Sequence, residues 1–274
     1  MTADPSEFRR FEHAGWERVA GLYDQTWAAL TRKFHPPILD SADVGPGTSV
    51  LDVACGPGYV AAEAKQRGAD VVGLDFSRCM LSEAGRLHPQ LALIEGDSES
   101  LPFPAARFDA VTISFGLLHM AEPERALAES RRVLRPGGRV VFSVWARPSE
   151  SPGRQIVFSA IQEHAIADVG LPEGPPFFLL STEDECRRSL AGAGFDKAAV
   201  RFGTHRAEWM VPTADYLFEA ERDAGVRTAG LLAAQPADRL ERIRDAVAAG
   251  VRKHASGKGF SIPMTAHVVS AVAS

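Results

Sequence analysis

The sequence predicts a single α/β domain with a mostly parallel sheet covered by helices on both faces. Three observations point there. Between residues 50 and 145, short apolar runs alternate with segments of helical periodicity, the pattern of repeated strand–helix units. The runs are apolar almost throughout instead of alternating, as strands buried on both faces require. The first run, Val50 to Ala54, opens through Gly56-Pro57-Gly58 directly into a helical segment.

Taken in order, residues 14 to 30 form the first expected helix, because Trp16, Val19, Ala20, Tyr23, Trp27 and Leu30 recur at helical spacing. Pro36-Pro37 and Gly45-Pro46-Gly47 then read as punctuation. After the first strand, Tyr59 to Arg67 is helical and Gly68 stops it. Asp70 to Leu74, Leu91 to Ile94, Phe108 to Phe115 and Val140 to Trp145 are the next strands. Helices fall at Met80 to Leu87 and Pro123 to Leu134, the second closed by Arg135-Pro136-Gly137-Gly138. Residues 147 to 181 read as a Pro/Gly-rich loop with one helix near Ile156 to Val169. Thr182 and Glu185 have the spacing of a capping box, so a helix starts there and runs to Gly192. Val200 to Val211 is extended, Asp215 to Ala224 and Ala237 to Val251 are helical, and His267 to Val272 is a closing strand.

Composition sets the chemistry the chain can do. With 274 residues it can bury a sizeable core without staples. Hydrophobic residues at 45% and charged residues at 24% are ordinary for a folded domain. The net charge of −5 and the lack of a basic run argue against a nucleic-acid partner. Cys55, Cys79 and Cys186 are scattered and form no metal-ligand spacing, so reduced thiols and no metal are expected. With no apolar leader and no run of membrane-spanning length, a cytoplasmic location is expected.

Four features carry functional meaning. Gly56 and Gly58 let backbone approach a ligand at the carboxyl end of the first strand, where open α/β sheets bind nucleotides. Asp52, just before that turn, would repel a pyrophosphate but suits a cationic ligand; its other reading is a bond to the loop backbone. Asp75 ends the second strand, where a carboxylate can accept both hydroxyls of a ribose. Asp97 follows the third strand at the same edge and can accept an adenine amino group. The glycines alone would equally serve NAD.

The runs LDVACGPG, VVGLDFS, EGDSESLPF, FDAVTISFGLLH and RRVLRPGGRVV together resemble the class I S-adenosylmethionine-dependent methyltransferases, in the branch of ubiquinone and menaquinone methyltransferases. The resemblance implies a Rossmann-like seven-stranded sheet with an antiparallel last strand, plus a helical cap. Residues 1–45 would form an N-terminal cap, 46–150 the cofactor-binding core, and 151–274 the substrate cap and the rest of the sheet. It implies that Ala54, Gly56 and Gly58 surround the methionine part of S-adenosylmethionine, that Asp75 holds the ribose, and that Phe76 and Met80 flank adenine. Asp97 and Ser98 would bind the adenine edge, Ser114 would offer backbone near the cofactor, and Tyr23 would reach its carboxylate.

The implied activity is methyl transfer to a small-molecule acceptor at an O, N or C atom, by in-line displacement in an apolar capped pocket. His119 follows the fourth strand, where the methyl group should sit, and is the candidate general base; its other reading, from the resemblance, is a histidine that shapes the pocket. Trp16 with the N-terminal helix, Trp145, residues 150–180 and the helices of 213–252 are expected to build the acceptor pocket. Phe177, Phe178, Trp209, Tyr216 and Phe218 are its further aromatic candidates, and ordinary core packing is the reading for most of these five. No Asn/Asp-Pro-Pro-Tyr/Phe motif follows the fourth strand, which lowers the case for a DNA base as acceptor. The alternatives are an NAD-dependent oxidoreductase and a non-catalytic S-adenosylmethionine-binding protein. The chain is expected to act as a monomer or homodimer.

Overall fold

The computed structural model describes residues 4–274; residues 1–3 of the expected N-terminal cap lie outside the described residues. The first helix, α1 (Pro5–Tyr23), begins earlier than the hydrophobic pattern indicates. Asp4 caps it by accepting from the Ser6 backbone N–H at 2.9 Å, and Pro5 sits in the first turn where no N–H is needed. Its inner face carries Phe8, Glu12, Gly15, Val19 and Ala20. The expected single helix to residue 30 is interrupted by a turn after Tyr23, and α2 (Ala28–Thr31) follows. Pro36 and Pro37 do not stop the chain: they occupy the start of α3 (His35–Ser41), the one place in a helix that tolerates proline.

The core then alternates as expected: β1 (Ser49–Val53), α4 (Tyr59–Gln66), β2 (Asp70–Asp75), α5 (Arg78–Leu87), β3 (Ala92–Glu95), β4 (Phe108–Ser114), α6 (Pro123–Val133) and β5 (Leu134–Trp145). The Arg-Pro-Gly-Gly stretch, expected as a turn, is a bulge inside β5, where pairing jumps from Phe108↔Leu134 to Ala110↔Arg139. The helix expected near Ile156–Val169 is present and starts four residues earlier, as α7 (Pro152–His164); the chain from 165 to 181 is irregular, as its Pro/Gly content indicates. The capping box at Thr182 and Glu185 closes in both directions and opens α8 (Glu183–Gly192). Then come β6 (Arg201–Val211), α9 (Tyr216–Ala224), α10 (Arg227–Ala233), α11 (Ala237–Arg252), β7 (Ala255–Ser256) and β8 (Gly259–Val272). Helix α10 is absent from the sequence reading, since its seven residues hold too short a pattern to detect.

The sheet order is β3-β2-β1-β4-β5-β8-β6. All neighbours from β3 to β5 pair in parallel, and β8 runs antiparallel to both β5 and β6. The antiparallel last strand is therefore present. The eighth strand beyond the expected seven is the two-residue β7, which only extends a turn into β8. Side chains of the central strands point alternately to two apolar layers. Leu51, Val53, Val111, Ile113 and Phe142 face one layer with Leu127 of α6 and Leu190 of α8. Val50, Ala110 and Val141 face the other with Ile38, Leu39 and Ala61. A third apolar cluster holds Trp27, Trp145, Trp209, Leu217, Phe218 and Val247 over the carboxyl edge of the sheet. Hydrogen bonds from Trp27 Nε1 to the Ala220 carbonyl (3.2 Å) and from the Tyr216 hydroxyl to the Gln25 carbonyl (2.8 Å) tie the N-terminal turn to α9. Among the described residues no helix is long and apolar enough to cross a membrane.

Candidate functional site

One cavity lies at the carboxyl edge of the parallel strands and runs beneath α1, α7, α9 and α10. Backbone shape creates its floor. Ala54, just past β1, and Phe115, just past β4, have φ of +53° and +55°, a region costing side-chain-bearing residues about 1–2 kcal/mol. Both line the cavity, where such strain is commonly held by surrounding structure. Gly56 also lines it, with φ +51°, and a Cβ placed there would meet no atom within 4 Å. The missing side chain leaves room for a ligand against bare backbone.

Gly58, expected beside the ligand, does not line the cavity. It caps α4 with φ +79°, and a Cβ would stand 3.0 Å from Leu91 Cδ1 and 3.3 Å from Ala84 Cβ. Its smallness serves helix packing. The remaining expected residues, Tyr23, Asp52, Ala54, Gly56, Asp75, Phe76, Met80, Asp97, Ser98, Ser114 and His119, all line the one cavity.

The three acids differ in their surroundings. Asp52 is 1% exposed and accepts from the Thr112 hydroxyl at 2.7 Å and the Ala61 backbone N–H at 3.2 Å. Burial pushes its carboxyl up to about 7, against the pull of those two bonds. Bonding to the turn and helix, the second reading of Asp52, is thus present along with its place on the cavity wall. Asp75 accepts from the Gly56 and Ser77 backbone N–H groups at 2.8 and 2.9 Å. Burial pushes its carboxyl up to about 6, with the backbone donors opposing. Asp97 is half exposed, accepts from the Glu99 N–H at 2.8 Å, and has Arg9 Nε 3.9 Å from its other oxygen. Arg9 also pairs with buried Glu99. Phe76 meets His13 edge-on at 5.2 Å, and Met80 is buried on α5.

Beyond β4 and β5 the cavity changes character. Its walls there are Trp16, Trp27, Phe115, Trp145 and Phe177. Phe115 and Trp145 stack at 4.1 Å. Trp16 and Trp145, expected at the acceptor pocket, both line the cavity; of Phe177, Phe178, Trp209, Tyr216 and Phe218, only Phe177 does. Phe178 packs behind it at 5.0 Å, Trp209 packs behind Trp27 at 4.9 Å, and Trp209 and Phe218 are buried in the cap cluster. Their inward positions make them support for the wall. Tyr23 donates its hydroxyl to Thr31 Oγ1 at 3.2 Å. His119 packs edge-on against Trp16 at 4.7 Å, and its Nδ1 lies 2.9 Å from Glu12 Oε2. Sequence reasoning missed Arg9, Glu12, Arg154, Glu221 and Arg227. Each is a charged residue on an amphipathic helix, a pattern that ordinarily marks a solvated face.

A nucleoside with a positively charged tail fits the first half of this cavity. The bare Gly56 backbone gives it space, and Asp75 and Asp97 are acceptors at successive strand ends. Comparison with known proteins agrees. The methyltransferase domain family matches residues 51–142. A demethylmenaquinone methyltransferase of Renibacterium salmoninarum is 42% identical over 147 residues, which are 52% of this chain and 62% of that protein. The chain thus spans less than two thirds of that relative's length. A demethylmenaquinone methyltransferase of Streptomyces avermitilis is 34% identical over 199 residues, 68% of this chain and 86% of that protein. Among solved structures, the YcgJ protein of Bacillus subtilis matches 88% of this chain and 97% of its own, with a TM-score of 0.57 at 18% identity; it shares the fold. The bare-backbone turn after β1, the acids ending β2 and following β3, and this degree of relatedness place the chain in the class I S-adenosylmethionine-dependent methyltransferase family, in its quinone-methyltransferase branch.

Proposed function

We propose that the chain transfers a methyl group from S-adenosylmethionine to a small aromatic acceptor of the quinol type, held against Trp27, Trp145 and Phe177. The observation that carries this reading is the continuity of one cavity from the Asp75 strand end to that aromatic wall. The names of the relatives point to the same acceptor class. Bound in the cradle, the cofactor supplies a methyl group already activated on a sulfonium. The protein's task is to align the acceptor, exclude water and hold the proton that leaves it.

In this reading Asp75 accepts the ribose hydroxyls, and Phe76 and Met80 hold the adenine faces. Asp97 and Ser98 meet the adenine edge, with Arg9 steadying Asp97. Ala54, Gly56 and the backbone at Ser114 surround the methionine part, and Tyr23 reaches its carboxylate. Asp52 fixes the turn and keeps negative potential near the cationic end. His119 takes the acceptor's proton at Nε2, with Glu12 as its positioning residue: an ionised Glu12 accepts from Nδ1–H and leaves Nε2 free to act as base. The cap helices exclude water. We place the enzyme in the cytoplasm, without a nucleic-acid partner, as a monomer or homodimer; its net charge of −5 supports the absence of nucleic acid.

Calorimetry with S-adenosylhomocysteine, followed by transfer of labelled methyl to hydroxylated naphthalenes and benzenes, tests the reading. Binding at micromolar strength, about 8 kcal/mol, and transfer to at least one such acceptor are expected. Binding of NAD in place of S-adenosylhomocysteine would overturn it, and tight cofactor binding without turnover on any aromatic would favour a sensor.

A further inference from the structure

Deep in the aromatic half of the cavity sits a complete cation. Arg154, in the first turn of α7, lines the cavity with 3% of its side chain exposed. Its guanidinium lies 4.3 Å from the Trp145 ring centroid, 5.0 Å from Trp27 and 5.9 Å from Phe177. Nη1 donates to Glu221 Oε1 on α9 at 2.7 Å. Nε has no hydrogen-bond partner among the described residues. Glu221 also lines the cavity and is 3% exposed.

This arrangement is costly as mere scaffolding. Taking an arginine and a glutamate out of water is unfavourable for each ion, and a hydrophobic pair of similar volume would commonly hold two helices as well. A buried donor left without a partner adds to that cost. The three rings offset part of it by cation–π attraction, yet they leave guanidinium donors unspent. Glu221 supplies one acceptor; the planar fork can serve two oxygens at once. Nη2, the other half of that fork, is in no hydrogen bond among the described residues, and Arg154 lines the cavity beside the aromatic wall.

Resting on the aromatic acceptor proposed above, we infer that Arg154, aimed by Glu221 and the rings of Trp27 and Trp145, selects acceptors that carry an oxyanion on the ring system, a carboxylate or phenolate. Such an oxygen meets the open edge of the guanidinium while the ring lies along Trp145 and Phe177. Arg154 is thereby a specificity-determining residue. Glu221 is a positioning residue that neutralises the cation when the pocket is empty. The other cation on this wall, Arg227, is held differently: it bonds the Leu118 carbonyl at 3.3 Å and lies over the Phe8 and Phe177 rings, with Glu12 as its nearby charge.

The test uses the full chain loaded with S-adenosylhomocysteine and two probes of nearly equal shape, 2-naphthoate and the neutral 2-acetylnaphthalene, titrated by calorimetry. The wild type is expected to bind 2-naphthoate at least tenfold more tightly. R154M should erase that preference while leaving 2-acetylnaphthalene and S-adenosylhomocysteine within about twofold, and R154K should restore part of it. Because R154M strands Glu221, the double variant R154M/E221M gives the same comparison in an all-apolar box that does not depend on the pair for folding. Equal binding of the two probes by the wild type, or a preference that survives in R154M/E221M, would overturn the inference and leave the aromatic acceptor standing. Failure of both naphthalenes to bind would overturn the aromatic acceptor and this inference together.

Discussion

Glu12 and His119 lie 107 residues apart in the chain and meet at 2.9 Å, behind the cavity wall that His119 lines. Glu12 is fully buried, and its second oxygen has no partner among the described residues. The contact joins α1 to the turn after β4, so the N-terminal helix and the proposed general base are positioned by one bond. A base aimed in this way contributes about 10²–10⁴-fold to rate where the acceptor must lose a proton. H119N should lower kcat by that order and leave KM for the cofactor in place. E12Q should lower kcat by a smaller factor, about tenfold, with the same KM. An unchanged kcat in H119N would remove His119 from proton transfer.

Asp75 offers a separate measurement. D75A leaves the ribose hydroxyls without an acceptor and should cost about 1.5–3 kcal/mol in S-adenosylhomocysteine affinity, the range for a bond to a charged group. Only the ionised carboxylate accepts both hydroxyls, and burial holds its titration at about 6. Affinity should therefore be level above pH 7 and weaken by up to tenfold per unit below about pH 6. Calorimetry at pH 5, 6 and 8 checks both; a D75A affinity equal to wild type in a folded protein would exclude the ribose role.

Asp52 and Asp75 also shape stability in the absence of ligand. Both titrate above the ordinary 3.8, at about 7 and about 6, because burial disfavours their charge. Between roughly pH 4 and 7 the folded chain holds protons that the unfolded chain has released, so these groups make stability fall as pH rises through that window. The expected change is on the order of a few kcal/mol. D52N should flatten the slope. Urea midpoints at pH 5 and pH 8, with and without the substitution, decide it.

Gly56 separates folding from binding. An alanine there meets no neighbour, so the only stability cost is its φ of +51°, about 1–2 kcal/mol. The position lines the cavity, so an added methyl group takes room from a ligand there. G56A should remain folded at room temperature and lose at least tenfold in cofactor affinity, as read by calorimetry beside a melting curve.

The N-terminal helix should respond to the cofactor. Trp16, Tyr23 and Arg9 of α1 line the cavity, and Glu17 accepts from the Ser77 hydroxyl at 2.7 Å, next to Asp75. Segments that close over ligands come from the less stable part of a fold. Bound S-adenosylhomocysteine is expected to slow amide exchange across α1 at least tenfold. Equal exchange rates in both states would show that α1 is no lid.

The parallel strands were legible because Val50, Ala110 and Val141 fill one layer while Leu51, Val111 and Phe142 fill the other. Residues placed on both faces of a sheet leave an unbroken apolar run in the sequence. The acids at the strand ends were legible for a related reason: Asp75 interrupts such a run at its last position. The start of α1 was not, since Glu7, Arg9 and Arg10 dilute its apolar stripe and the signal lies in the Asp4 cap. Glu12 and Arg154 escaped because their partners are 107 and 67 residues away, and nothing local distinguishes a buried charge from a solvated one. At Gly58 a tight turn and a close helix contact demand the same residue, so the sequence does not separate the two roles.

The place of β8 in the sheet has a consequence for how the chain is made. β8 lies between β5 and β6, pairing with β5 from Arg139↔Val272 to Trp145↔Ala266 and with β6 over Arg201↔Ser270 to Val211↔Phe260. A nascent chain still lacking residues 259–272 has nothing to fill that gap. The edge of β5, with Val140, Val141 and Phe142, stays open to other strands, and β6 has no neighbour to dock on. Ribosomal stalling or proteolysis near α11 would yield a fragment with a complete cofactor turn and an unprotected apolar edge, a species prone to aggregate instead of a working half-enzyme.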